Sequence, residues 1–198
     1  MQSQTVKEAR WWCTQGGTPD LKVARQDALS YGKRREHTFR VKNPPEHREM
    51  VFLTHHILGI QRERGFSGGL IWLRMWYVGS PEFVKPGWRI IEDMRRAHGD
   101  LRSLDIAPAQ VFRDDEFVEL HVFLIQMMAY GWSGYYVPSA EDFFLDFRTS
   151  ERFFCVAKSA ERLKTLYSSL KSWNPASEVP RFPKALSKRE AARTKQIL

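Results

Sequence analysis

The stretch Phe112–Trp132, FRDDEFVELHVFLIQMMAYGW, decides the fold of this chain. An acidic segment opens it, and from Phe117 onward apolar side chains fall on nearly every side of a helix with 3.6 residues per turn. A helix that is apolar all round is covered by neighbours on several sides. Asp114 or Asp115 is expected to cap it, because carboxylates favour the positive end of a helix dipole. The sequence therefore predicts a capped core helix.

Three short strands are predicted after this helix, at 134–137, 142–148 and 152–157. The second strand alternates its side chains, and short polar turns separate the three, which favours an antiparallel meander. Ser159 is expected to cap a last helix that carries a regular apolar stripe as far as Trp173. The meander and the last helix would cover the core helix.

Upstream, Gly69–Val78, GLIWLRMWYV, is apolar on both alternating faces and predicts a buried central strand. His37–Lys42 alternates and predicts an edge strand with a basic face. Helices are expected at 5–14, from Thr18-Pro19 to about Tyr31, and over 44–65 and 88–98, whereas 100–112 is expected to be irregular. These elements predict an α+β fold: a single domain whose mostly antiparallel sheet, built from the Trp-rich central strand and the three-stranded C-terminal meander, is packed by helices.

Length and charge placement suggest one core with basic ends. The 198 residues, 42% of them hydrophobic, suffice for one core and are too few for two ordinary domains. Residues 1–43 hold 9 basic and 4 acidic groups, residues 44–173 hold 16 and 17, and residues 174–198 hold 6 and 2, giving +5, −1 and +4. We therefore expect a basic N-terminal extension at 1–43, a core domain at 44–173 and a basic, flexible tail at 174–198.

Cysteine usage and hydropathy indicate the compartment. The two cysteines, Cys13 and Cys155, are too few for a disulfide framework or a thiolate zinc site, which favours a reducing environment. The first ten residues are polar and charged, so no signal peptide is expected. The apolar run Val122–Ile125, like every other apolar run in the chain, is far shorter than a membrane span. A cytoplasmic protein without a membrane partner is the expectation.

Three segments carry a resemblance to a known family. Gly69–Val78, then His98–Phe112 (HGDLRSLDIAPAQVF) and Tyr130–Pro138 (YGWSGYYVP), resemble a family of uncharacterised bacterial proteins with a Trp-rich strand, a GDxRxL...APGHxF segment and a GWDxxxxP segment. The resemblance implies no assigned activity. The chain departs from the pattern where Ala109-Gln110 replace Gly-His and Ser133 replaces Asp. If those positions were catalytic in the family, this chain would be expected to lack the chemistry.

The histidines do not predict a metal site. His55 and His56 are adjacent and point about 100° apart on a helix, which is poor geometry for two ligands of one ion, and His47 lies a further two turns away. Glu116, Glu119 and His121 cannot converge from a single turn either. We expect His121 to be buried and hydrogen-bonded to a neighbour. No metal and no cofactor is predicted.

Other catalytic signatures are also missing from the sequence. A metal-dependent nuclease would need a further carboxylate near Asp146, where the next strand offers only Val156-Ala157-Lys158. Cys155 falls in mid-strand, and neither GxSxG nor a phosphate loop ending in GK[ST] is present. No catalytic residue is therefore predicted, although distant polar groups could still assemble a metal-dependent hydrolase or nuclease.

Two binding functions remain. The first is protein binding by an immunity, antitoxin-like or adaptor protein, with Arg74 between Trp72 and Trp76 as a candidate anion or partner pocket. The second is an accessory role in which the basic ends contact DNA or RNA phosphates. The predicted phosphate contacts are Lys33, Arg34, Arg35, Arg40, Lys42, Lys184, Lys188, Arg189, Arg193 and Lys195. Protein binding ranks first by a narrow margin, because the middle of the chain is electrically neutral.

Overall fold

The structure, a computed structural model, describes residues 1–17, 21–24, 28–31, 37–63, 65, 68–75, 81–139, 142–149 and 151–173. Within these ranges the strands are β1 (Gln2–Gln4), β2 (Lys22–Val23), β3 (Leu29–Ser30), β4 (His37–Lys42), β5 (Gly69–Met75), β6 (Ala109–Phe112), β7 (Ser133–Pro138), β8 (Phe143–Thr149) and β9 (Arg152–Ala157). The helices are α1 (Val6–Trp12), α2 (His47–Arg62), α3 (Pro81–Ala97), α4 (Phe117–Ala129) and α5 (Ala160–Leu170). A π-helical turn, Cys13–Gly17, extends α1, and a 3-10 turn, Lys171–Trp173, extends α5.

The described strands form a seven-stranded sheet in the order β1-β6-β5-β7-β8-β9-β4 and a separate two-stranded sheet, β2-β3. All pairings are antiparallel. The Trp-rich strand β5 lies inside the sheet, β4 forms one edge, and β7, β8 and β9 form the predicted meander. The α+β prediction of a single domain with a mostly antiparallel sheet is therefore confirmed.

The two faces of the large sheet are covered differently. One, the helix face, buries residues such as Ile71, Leu145 and Phe153 against α2, α3, α4 and α5. The other, the hairpin face, buries Trp72, Tyr135 and neighbouring side chains against α1, its π-helical turn and the β2-β3 hairpin. Because successive side chains of a strand point to opposite faces, each central strand contributes to both cores.

Helix α4 begins at a different cap residue from the predicted one. Its N-cap is Glu116, whose side chain makes no cap bond to the helix, so the prediction of Asp114 or Asp115 is wrong. Asp114 instead accepts a bond from the Gly68 amide at 3.2 Å, which ties the helix start to β5. At the other end, Gly131 has φ +64° and the Trp132 amide bonds to the Met127 carbonyl at 2.9 Å, a Schellman motif. The turn places Trp132 in the core.

Two other segments differ from expectation. The helix predicted from residue 18 to 31 is wrong where the structure describes it, because β2 and β3 pair there as a hairpin. Leu21 and Leu29 are buried on the hairpin face, and Tyr31 packs on Phe144 at 5.7 Å, so burial with a period of two overrides the helix-start signal at Thr18-Pro19. Residues 109–112, expected to be irregular, form β6 because β1 and β5 flank them.

The N-terminal segment takes part in the sheet. Residues 1–43, which we assigned to an extension, supply both edge strands, β1 and β4. The tail at 174–198 lies outside the described residues. None of the described helices is long and apolar enough to cross a bilayer.

Candidate functional site

A row of directly paired residues crosses the hairpin face. Trp72 pairs with Tyr135, Tyr135 with Asp146, Asp146 with Phe154 and Phe154 with Arg40. Directly paired residues of an antiparallel sheet share one face. The first three side chains are buried, whereas Phe154 and Arg40 are partly exposed. The row therefore leads from the second core to the surface.

Five cations lie on this row or beside it, spread across the sheet from β4 to β5. Lys42 pairs with Arg152, and both lie two residues from members of the row, so they share its face. Arg74 and Arg148 contact Tyr135 and Phe154 of the row. Lys42, Arg74, Arg148 and Arg152 are exposed, and Arg40 is half-buried. We call this surface the basic end: Arg40, Lys42, Arg74, Arg148 and Arg152.

Arg74 is held by the row. Its Nη1 donates to the Tyr135 hydroxyl at 3.0 Å, and its guanidinium lies 5.5 Å from the centre of the same ring. Burial and the nearby Asp146 carboxylate raise the pKa of Tyr135, so the phenol stays protonated at neutral pH. Gly134 permits the close approach of β7 to β5, because a Cβ there would meet the Trp72 carbonyl. The sheet thus fixes the direction of Arg74.

Arg148 is fixed by a carboxylate and a ring. Its Nε donates to Asp146 Oδ2 at 2.6 Å, and its guanidinium lies 4.4 Å from the centre of the Phe154 ring. Asp146 is buried, with 7% of its side chain exposed, whereas Arg148 is 57% exposed. The buried carboxylate therefore orients an arginine whose head still faces solvent.

One further carboxylate lies near the basic end. Glu151, in the turn before β9, lies 4.0 Å from Arg152, with 78% of its side chain exposed. Exposed pairs at that separation are weak and screened by salt. Among the described residues, Asp146 and Glu151 are the carboxylates that contact the five cations, so the described part of the basic end keeps a net positive charge.

The predicted site residues have different outcomes. Arg40 and Lys42 lie on the basic end as the alternation of β4 predicts. Trp72 is buried, and among the described residues Arg74 contacts the ring of Tyr135. The other predicted residues lie outside the described part of the chain: Lys33, Arg34, Arg35, Trp76, Lys184, Lys188, Arg189, Arg193 and Lys195.

The sequence analysis missed Arg148, Arg152, Tyr135 and Asp146. The meander was predicted, and its alternation places Arg148 beside Asp146 and Arg152 beside Phe154. What was missing was the register that joins β9 to β4, a pairing between residues 110 to 120 positions apart in the chain. The alternation was readable in the three strands of the meander. The register of β9 against β4 could not be read from the sequence alone.

The titratable groups around α4 make separate contacts. His121 Nε2 lies 3.1 Å from the Val51 carbonyl oxygen, which confirms the predicted bond to a neighbour, whereas the residue is half-buried and not buried as predicted. Partial burial lowers the pKa of His121. Glu116 and Glu119 instead approach His98, at 3.6 and 3.8 Å. Among the described residues, no group of three His, Cys, Asp or Glu side chains is placed to hold a metal ion.

Both cysteines are buried and make no described disulfide. Burial raises the pKa of the Cys13 thiol to about 12 and raises that of Cys155 as well. Thiols of this kind carry little thiolate at neutral pH and are poor nucleophiles.

Comparison of the chain with protein-family models, with curated proteins and with solved structures gave no match. The positions at which the chain departs from the resembling family have different environments. Gln110 is buried in the sheet and accepts a bond from Ser3 at 2.8 Å, whereas Ser133 is partly exposed at the start of β7.

Proposed function

We propose that the protein binds nucleic acid through the basic end, with its lysine and arginine side chains contacting phosphates. The observation that carries this proposal is the convergence of five cations from four strands on one sheet face. The basic ends of the chain suggested such contacts from the sequence. The fold adds Arg74, Arg148 and Arg152 to Arg40 and Lys42, although all three come from the electrically neutral middle.

The dimensions of the basic end suit an extended polyanion. Strands β4 and β5 are four strand spacings apart in the sheet order, which corresponds to about 19 Å at about 4.8 Å per spacing. That span covers several nucleotides of a single strand at about 3.4 Å or more per phosphate. Arg74 and Arg148 are already oriented by Tyr135 and Asp146, so binding immobilises fewer side chains.

The row favours phosphate contact over base stacking. Trp72 and Tyr135 are 1% and 2% exposed, so their ring faces are not open to bases. Phe154 is partly exposed, but Arg148 lies over its ring. Stacking platforms of single-strand binding proteins need exposed rings. Binding is therefore expected to depend strongly on salt and weakly on sequence.

A salt series with the full-length chain tests the proposal. Five phosphate contacts predict a slope of log K against log salt of about −3.5 for a mixed-sequence single strand, at about 0.7 per contact. The triple variant Lys42→Gln, Arg74→Gln, Arg152→Gln is expected to make the slope shallower by about 2. The full chain is required because a chain starting at residue 44 would lack β1 and β4.

A matched control has the same net charge. Arg89→Gln, Lys164→Gln, Lys171→Gln removes three exposed cations from α3, α5 and the turn that follows α5, on the helix-face side. This control is expected to leave the slope unchanged. A third variant neutralises the tail cations Lys184, Lys188, Arg189, Arg193 and Lys195. Binding at the basic end would be refuted if the basic-end variant and the control made the salt slope shallower by equal amounts. It would also be refuted if only the tail variant changed the slope.

A second candidate function, protein binding, is favoured by an apolar surface on the helix side. Phe52 on α2 and Val118 on α4 are 53% and 68% exposed. His121, one turn after Val118, reaches the carbonyl of Val51 beside Phe52, so the two helices present these residues together. Exposed apolar patches of this kind mark protein-binding surfaces.

Substitution of the apolar pair tests this second candidate. Phe52→Ser with Val118→Ser is expected to abolish capture of a specific partner in pull-down experiments. The control, Leu101→Ser with Ile106→Ser, removes two apolar residues outside α2 and α4 that are 83% and 60% exposed, and it is expected to retain capture. Capture that both variants retain, or both lose, would speak against this surface.

A further inference from the structure

A small cavity lies at the ends of β5, β7 and β8. Its volume is about 290 Å³, and it is lined by Arg74, Met75, Ser133, Phe147 and Arg148. A larger cavity, of about 400 Å³, lies elsewhere, between α2 and α5. In the smaller one, two arginines of the basic end and a hydroxyl meet, and no carboxylate is among its described lining residues. The cavity therefore concentrates positive charge.

The two arginines are held from outside the cavity. Arg74 donates one bond to Tyr135, and Arg148 donates one to Asp146. A guanidinium carries five N–H donors in a planar fork, so these bonds fix its plane while using one donor each. Two fixed forks are suited to the oxygens of one tetrahedral anion. The Ser133 hydroxyl supplies a further donor at the cavity wall.

We propose that this cavity binds a phosphate monoester, the terminal phosphate of a nucleic acid strand lying on the basic end. This inference rests on the proposed function, since it names the part of the strand that the cavity receives. A phosphate monoester carries about −1.5 to −2 at pH 7, whereas a phosphodiester carries one charge. Two arginines that line one cavity therefore favour a strand end over an internal phosphate.

The test compares short single strands of one sequence that end in a 5′-phosphate, a 3′-phosphate or only hydroxyl groups. We expect one phosphorylated form to bind about tenfold more tightly than the hydroxyl form, the scale of added charged hydrogen bonds. Arg74→Gln is expected to remove this ratio. Lys42→Gln, outside the cavity, is expected to weaken all three strands and preserve the ratio.

The pH provides a second readout. The second pKa of a phosphate monoester is about 6, so the preference is expected to shrink as the pH falls below that value. Binding of the hydroxyl strand lacks this group and is expected to change less. A preference that is independent of pH between 5 and 8 would overturn the assignment to a dianion.

Binding of free phosphate distinguishes a failure of this inference from a failure of the proposed function. The Met75 methyl group lines the cavity, so its NMR signal reports on occupancy by inorganic phosphate or a mononucleotide. Equal affinity for all three strands, with no Met75 shift, would overturn the inference and leave the proposed function standing. A Met75 shift with phosphate or mononucleotide but no binding of any strand would refute the proposed function and identify a small phosphate monoester as the ligand.

Discussion

The two faces of the large sheet use the same strands for different purposes. On the helix face, four helices seal an apolar core that contains side chains such as Phe123, Trp132 and Phe153. On the hairpin face, the cover includes one short helix and a hairpin of two-residue strands, and the paired row continues from buried Trp72 to half-buried Arg40. On the hairpin face, burial declines along this single row. The helix face can therefore serve stability, while the edge of the hairpin face presents charged side chains.

The largest expected effect on stability follows from truncating a side chain in the core of the helix face. Phe123 is fully buried and packs edge-on against Phe112 at 5.8 Å and Trp132 at 6.5 Å. Phe123→Ala is expected to lower the free energy of unfolding by about 3–5 kcal/mol, because it removes buried apolar surface and leaves a cavity. Urea unfolding measures the loss. The salt slope of nucleic-acid binding by the folded variant is expected to be unchanged, and a changed slope would mean that the faces are not independent.

An intermediate effect is expected at a cation that is paired within the protein. Arg102 binds both oxygens of Asp100 and donates to the Ser3 carbonyl at 2.9 Å, and buried Arg95 lies 3.9 Å from the same carboxylate. Asp100→Asn is expected to cost about 2 kcal/mol at pH 7, because Arg95 loses its nearest described countercharge. Arg102 thus differs from the cations of the basic end, since its charge is used for stability.

The pH dependence checks the sign of the Asp100 contribution. Hydrogen bonds from Arg102 hold the pKa of Asp100 far below its usual range. A lowered folded pKa makes the contribution complete above the unfolded value of about 3.9, and the contribution is lost as the pH falls below it toward the folded value. The difference between the wild-type protein and Asp100→Asn should therefore shrink in acid. A constant difference from pH 7 to pH 2 would contradict the ion pair.

The smallest stability effect is expected at the basic end. Lys42, Arg74 and Arg152 are exposed, so their replacement by glutamine should change the free energy of unfolding by no more than about 0.5 kcal/mol. Thermal or urea unfolding measures this. A loss as large as that of Asp100→Asn would show that these cations hold the fold together and would remove the main reason for assigning them to binding.

The sequence predicts local features better than long-range pairings. The apolar profile of α4, the alternation in β8 and the Ser159 cap, which accepts a bond from the Arg162 amide at 3.1 Å, were all readable because they depend on neighbouring residues. Strands β1 and β6 were not predicted, because strands this short show no alternation of their own and form only by pairing with neighbouring strands. The same limit applies to the site. Arg40 and Lys42 were identified from their own strand, but their proximity to Arg152 depends on the β4-β9 register.

Arginine side-chain NMR during titration with a single-stranded oligonucleotide tests the central claim most directly. The Nε–H signals of the four arginines of the basic end are expected to shift together and to saturate. Arg62, Arg89 and Arg96, on helices of the opposite side, serve as references and should stay unchanged. Arg62 is the closest match to Arg148, since it lies 4.8 Å from the centre of the Phe117 ring. Shifts that are equal in both sets, or confined to the references, would contradict binding at the basic end.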